Sequence, residues 1–187
     1  MRGALEVHQV LLSADVPHEV VRLDSRITVA DDLPRAMGLP VGCLAVRCYV
    51  VSTGAGRDAV VAVLVPAGRT PAPGPLLDAL GARSLRPALP GEVNAATDCA
   101  AGLVCPVGLP PEVALLADAA VGATDVVYTP IGEGGLALGI RTRDLLVATR
   151  ARVATLTTSP VSPQDVPVDG PSAVLHLDPA PAQRRPV

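Results

Sequence analysis

The spacing of apolar residues changes several times along the chain, and each change predicts a different secondary-structure element. Near the N-terminus the apolar positions recur at near-helical intervals, which predicts a helix; they are Leu5, Val7, Val10, Leu11 and Leu12. The segment 14–17 interrupts this pattern, and the apolar run over 20–23 predicts a strand. A short second helix is predicted after the capping arrangement at Thr28 and Asp31, and it ends at Gly38.

A β-hairpin is predicted next. Residues 43–51 and 58–65 are dominated by valine, leucine, alanine and cysteine, and residues 52–57 between them are rich in turn formers. Two helices then follow in the pattern, one that is stopped by Gly81 and one that opens at Pro90.

The second half of the chain adds three more apolar runs, which predict strands at 113–116, 125–128 and 136–140. A last helix opens at Thr142, and its apolar positions suit packing against that sheet. Short strands mixed with four or five helices indicate an α+β domain rather than alternating βαβ units.

The length and composition favour one folded domain with an appended tail. The chain has 187 residues, of which 49% are hydrophobic and only 1% aromatic, so its core must be built from small and β-branched side chains. We assign residues 1–156 to the domain. Residues 157–187 form a proline-rich tail in which 173–177 is a candidate edge strand.

Charge and cysteine content restrict the candidate partners. The net charge of -3 gives no general attraction to a polyanion. A local basic surface or an ordinary solvated helix face explains the arginines near the end of the domain, which are Arg141, Arg143, Arg150 and Arg152. No apolar run reaches the roughly 18 residues of a membrane span, so a cytoplasmic protein without membrane contact is expected. The spacing of the four cysteines is not that of a zinc site, and neither a metal nor a cofactor is expected.

The segment Gly102 to Pro106 is the leading candidate for ligand binding. Glycine permits close approach of the backbone, and proline fixes the direction in which the chain leaves the turn. Such a Gly-x-x-x-Pro loop can aim backbone groups at a small acyl or amino group. An ordinary structural turn is the alternative interpretation.

Together with the upstream segment Gly38 to Gly42, this loop resembles the YbaK and prolyl-tRNA-synthetase insertion-domain family, which hydrolyses mischarged aminoacyl-tRNAs. The resemblance runs from about Leu5 to Leu156. It implies a mixed, largely antiparallel and barrel-like sheet flanked by helices. It also implies a deacylase that removes a small mischarged amino acid from tRNA, with the tRNA acceptor end as partner. An aminoacyl-tRNA synthetase and a second copy of the chain are further candidate partners.

The resemblance also implies a set of site residues. Gly102 would take part in catalysis. The substrate-binding residues would be Val46, Thr97, Leu103, Val104, Cys105, Pro106 and Gly134. Two departures alter this pocket: Asp98 and Cys99 replace a Gly-Tyr pair of the family, and Cys105 replaces a serine.

The family lysine raises a further question. An ungapped comparison with the family pattern Ile-Val-Lys-Ser-Leu places the lysine at Val46, and the chain contains no lysine at all. Arg47 is a candidate substitute cation, although strand alternation would turn it to the opposite face from Val46. Two alternatives stay open. One is a catalytically degenerate module that binds a small ligand, a tRNA end or a protein. The other is thiol chemistry at Cys99 or Cys105, which would need a base from His8, His18 or His176.

Overall fold

The computed structural model describes residues 3–39, 41–52 and 58–157. The helices are α1 (Ala4–Ser13), α2 (Leu33–Met37), α3 (Pro73–Leu80), α4 (Pro90–Thr97) and α5 (Thr142–Thr149), with 3-10 turns at Ala30–Asp32 and Ala119–Ala123. The strands are β1 (His18–Arg22), β2 (Leu44–Ser52), β3 (Asp58–Pro66), β4 (Ser84–Pro87), β5 (Ala114–Asp118), β6 (Val126–Pro130), β7 (Leu136–Arg141) and β8 (Arg152–Ala154). The predicted α+β class is confirmed.

The strands form two sheets. The larger has the order β4-β2-β3-β5-β8, and the smaller has the order β1-β7-β6 with antiparallel pairing throughout. In the larger sheet β4, β2 and β3 pair antiparallel, whereas β3, β5 and β8 run parallel. Parallel strands end at the same edge of a sheet, so the carboxyl ends of β3, β5 and β8 lie together.

The barrel-like shape expected from the resemblance is wrong. Closing a barrel requires a ladder of hydrogen bonds that continues from the first strand to the last. Over the described ranges both sheets are open, with β4 and β8 at the edges of one and β1 and β6 at the edges of the other. A single bridge between Cys43 and Tyr128 joins β2 to the smaller sheet.

The core lies on both faces of the hairpin formed by β2 and β3. Leu44, Val46 and Leu64 belong to one buried cluster, and Ala45 and Val63 belong to the cluster on the other face. Burial on both faces explains why these strands are almost continuously apolar in the sequence.

Most predicted elements are present, with a few exceptions. Gly38 and Gly81 end α2 and α3 in the left-handed conformation, with φ of 65° and 60°. The capping arrangement predicted at Thr28 and Asp31 is wrong, because neither the 3-10 turn nor α2 has a side-chain cap. The strands β4 and β8 were not predicted, since each is only three or four residues long. The candidate strand at 173–177 lies outside the described residues.

Candidate functional site

The Gly102 to Pro106 segment, called the 102–106 loop below, follows directly from α4. That helix ends at Asp98 in the left-handed conformation. The buried Thr97 hydroxyl donates to the Val93 carbonyl at 2.8 Å and accepts from the Cys99 amide at 3.2 Å. Because both hydrogen-bonding capacities are used within the chain, Thr97 holds the entry to the loop in place.

Gly102 has no room for a side chain. Its φ is +90°, and a β-carbon there would lie 2.8 Å from the Thr28 carbonyl oxygen. Its own carbonyl accepts a hydrogen bond from the Ala30 amide at 2.8 Å. The loop is therefore pressed against the chain between β1 and α2, and only glycine fits at this contact.

Gly134 packs against the same chain segment from a second direction. The Ile27 amide donates to the Gly134 carbonyl at 2.8 Å, and a β-carbon on Gly134 would lie 2.1 Å from the Ile27 carbonyl oxygen. The Gly132 amide also donates to the Leu103 carbonyl at 3.2 Å. The structure thus brings Gly102, Leu103 and Gly134 together around Ile27 to Ala30, which we call the 27–30 segment.

The remaining side chains of the 102–106 loop point into the protein. Buried positions are Leu103, Val104, Cys105 and Pro106. Val104 and Cys105 belong to the cluster that contains Val46. Since these side chains fill the interior, what the loop can offer to a ligand is its backbone.

Val46, at the position of the family lysine, is 9% exposed. It lies in register with Leu64 of β3, and both side chains belong to the same apolar cluster. No ammonium group is available at this point, and the site has an aliphatic wall in its place.

Arg47 is brought to a different partner. Its guanidinium donates to both carboxylate oxygens of Asp31, at 2.6 and 2.8 Å, and to the Arg69 carbonyl at 3.1 and 3.2 Å. The Gly68 amide donates to Asp31 at 2.7 Å. Arg47 pairs in register with Val63, on the face of β2 opposite Val46. The strand alternation expected from the sequence therefore holds, without a bulge.

The environment of Asp31 favours its ionised form. Partial burial is the largest single influence and raises the pKa of this carboxyl, but the hydrogen bonds from Arg47 and Gly68 and the charge of Arg47 together outweigh it. The pKa of Asp31 consequently lies below its ordinary value. Asp31 directly follows Ala30, so Arg47 and Gly102 hold neighbouring residues of one segment. The structure does not bring Arg47 to the 102–106 loop itself.

Among the described residues, the two histidine rings contact each other, and Cys99 and Cys105 are both buried. Cys99 and Cys105 are 1% and 0% exposed. Burial raises the pKa of the Cys48 thiol to about 11, with a smaller contribution from Cys99. His8 Nδ1 and His18 Nε2 are within hydrogen-bond distance of each other, at 2.7 Å. His176 lies outside the described residues.

Two of the arginines near the end of the domain have partners within the chain. Arg143 pairs with Asp144 at 3.2 Å, and Arg152 donates to the Ala79 carbonyl. Across residues 3–39, 41–52 and 58–157, no three metal-ligating side chains are grouped to hold an ion. None of the helices in these ranges is long and apolar enough to span a membrane.

The chain belongs to the aminoacyl-tRNA editing domain family, which matches residues 25–148. The match begins just before the 27–30 segment and ends within α5, so it includes both glycines that pack against that segment. Comparison with curated proteins gives no significant match.

Solved structures share the fold. The hypothetical protein APE2540 superposes with a TM-score of 0.73 and 21% identity, over 82% of this chain and 99% of its own. A candidate trans-editing enzyme for prolyl tRNA synthetase gives 0.69 and 24%, over 83% and 96%. A candidate signal transduction protein from Marinobacter aquaeolei VT8 gives 0.56 and 18%, over 82% of this chain and 31% of its own.

The 102–106 loop and Gly134, which the sequence proposes as site residues, lie against one segment, whereas the contacts made by Asp31 were not predicted. Its signal in the sequence, an acidic residue three positions after Thr28, is equally typical of a helix start. Only the approach of the turn at Gly68 and of strand β2 distinguishes an ion-pair partner from a cap.

Proposed function

We propose that this protein is a deacylase-like editing protein that hydrolyses the ester of a small mischarged amino acid at the acceptor end of tRNA. The observation that carries the proposal is the 102–106 loop, held by backbone contacts within a domain of the editing family. Its buried side chains leave a backbone surface suited to a small acyl group. The tRNA is the expected partner, and association with a synthetase or with a second copy of the chain belongs to the same proposal.

The reaction would add water to the ester carbonyl and break the bond to the ribose oxygen, releasing a free amino acid and a tRNA hydroxyl. Negative charge develops on the carbonyl oxygen, and oriented donors must stabilise it. Our candidates for these donors are the Gly102 and Val104 amides, since Pro106 has no N–H and the Leu103 amide already donates to the Ala100 carbonyl at 2.9 Å. We assign Arg47 a positioning role, since Asp31 and the Arg69 carbonyl already occupy its guanidinium.

A second function is favoured by one observation. Val46 is buried in an aliphatic cluster at the position where the family has its lysine. A domain that lost this ammonium would keep the binding surface but lose transition-state stabilisation. The alternative is therefore a non-catalytic module that binds a small ligand, a tRNA end or a protein.

The two functions differ in turnover. The full-length protein is incubated with a panel of mischarged tRNAs, and release of the amino acid is compared with that in buffer. Hydrolysis of at least one member above buffer supports the deacylase; no hydrolysis with retained tRNA binding supports the module. The Val46→Lys variant, with Val46→Met as control for size, then tests the lysine. Activity gained only in Val46→Lys would show that the wild-type protein lacks just this group.

A further inference from the structure

A cavity, called the Arg69 cavity below, lies away from the 102–106 loop, at the edge of the larger sheet where the parallel strands end. It has a volume of about 680 Å³. Its wall includes the residues that follow β3, β5 and β8, such as Ala67, Ala119 and Thr155. Cys43 and Leu44, where β2 begins, also line it. Ligands of open sheets with parallel strands commonly bind outside the carboxyl ends of those strands, and the volume falls within the usual range of small-molecule sites.

The wall combines small apolar side chains with three threonines, one aspartate and one cation. Apolar lining residues are Pro34, Val41, Pro66, Ala120, Val121 and Ala123. Arg69 is the only basic residue among the described residues that line the cavity. Asp118 also lies on the wall, but its carboxylate accepts hydrogen bonds from the Ala120, Leu156 and Thr157 amides, at 2.7, 2.8 and 2.5 Å. These three donors offset its negative charge.

The position of Arg69 is fixed by its backbone. Gly68 takes a left-handed conformation with φ of +80°, and the Arg69 amide donates to the Pro66 carbonyl at 3.0 Å. The Arg69 carbonyl accepts from Arg47, and the Gly68 amide donates to Asp31. The Arg47 and Asp31 pair thus anchors the turn that carries Arg69, while no described side chain forms an ion pair with the Arg69 guanidinium.

We propose that this cavity binds a small aliphatic carboxylate. Arg69 would pair with the carboxylate group, since a guanidinium matches its two oxygens. The alanine and valine side chains would surround the hydrocarbon part. The site is separate from the proposed editing site, because neither Val46, Gly134 nor any residue of the 102–106 loop lines it.

The test titrates the full-length protein with pentanoate. Binding is followed by isothermal titration calorimetry and by NMR chemical-shift changes. A ligand of this size should bind with a dissociation constant of about 1 mM. Arg69→Gln should weaken binding at least tenfold, whereas Arg83→Gln, which changes an exposed arginine outside the cavity, should leave it unchanged. Pentanamide, which has the same length without the charge, should not bind.

Three results would overturn the proposal. They are the absence of saturable pentanoate binding, equal binding by the wild-type protein and Arg69→Gln, and binding of inorganic phosphate as tight as that of pentanoate. The last would mean that the apolar wall adds nothing. A thermal unfolding curve of Arg69→Gln that matches the wild-type curve ensures that lost binding is not lost folding. Because deacylation is not measured, failure here leaves the proposed editing function unaffected.

Discussion

Arg47 donates to both carboxylate oxygens of Asp31, at 2.6 and 2.8 Å, and so joins strand β2 to the 3-10 turn that begins at Ala30, the last residue of the 27–30 segment. The same segment is held by Gly102 through the Ala30 amide. The pair therefore acts on the proposed editing site through the backbone of that segment. It acts on the Arg69 cavity through the turn at Gly68.

Loss of the Asp31 charge should destabilise the fold. We expect Asp31→Asn to lower the free energy of unfolding at pH 7 by about 1 kcal/mol, a value kept small because solvent partly screens the exposed pair. Since the pKa of Asp31 is lower in the folded state, its contribution is present above the unfolded pKa near 4 and is lost as the pH falls below it. Urea unfolding at pH 7 and pH 3 measures both effects.

Asp78→Asn is the matched control, because Asp78 is exposed and forms no ion pair with another described residue. It should change the unfolding free energy by less than about 0.5 kcal/mol at either pH. An Asp31→Asn deficit of the same size at pH 7 and pH 3 would contradict the assigned ionisation.

Gly134 should not tolerate a methyl group. In Gly134→Ala the new carbon would lie 2.1 Å from the Ile27 carbonyl oxygen, so the 27–30 segment has to move. We expect a loss of more than about 1 kcal/mol of stability. Gly135→Ala is the control, since a β-carbon there meets nothing within 4 Å. Equal melting temperatures of the two variants would argue against the close packing at Gly134.

A lysine at position 46 should destabilise the fold at neutral pH and destabilise it less at high pH. We expect Val46→Lys to lose about 2–4 kcal/mol at pH 7, because an ammonium enters an apolar cluster. Burial would lower the pKa of this lysine, so the deficit should shrink as the pH rises toward 10. Denaturant unfolding at pH 7 and pH 9.5 tests this, with Val46→Met as the control for volume. A deficit independent of pH would mean that the ammonium reaches solvent.

Asp118 should be essential for the junction of β5 with the chain after β8. Its side chain is 1% exposed and accepts from three backbone amides. Asp118→Asn should lower the free energy of unfolding by about 3 kcal/mol. The asparagine NH2 group, a donor, would replace a carboxylate oxygen that now accepts from backbone amides. Asp125→Asn, at an exposed position, should change little. Thermal unfolding compares the two, and a small effect of Asp118→Asn would count against the three hydrogen bonds.

The element pattern was predictable where apolar periodicity is strong. The strands of the hairpin, the three later strands and all five helices follow from runs of apolar residues and from glycine stops such as Gly38 and Gly81. The pairing of β3 with β5 and of β5 with β8 was not, because parallel neighbours are brought together by long connections that leave no local signal. The barrel was expected from the family resemblance, and it was wrong because both sheets are open over the described ranges.

The sequence by itself determined the α+β class, the absence of lysine, the position of the glycine and proline loop, and the resemblance to the editing family that the comparisons confirm. Local spacing carries this information, since periodicity and turn residues act over a few positions. Only the tertiary structure decided that Arg47 meets Asp31, that Gly102 and Gly134 press on one segment, and that Arg69 lines a cavity. These contacts join residues 16 to 107 positions apart, and chain packing alone sets such distances.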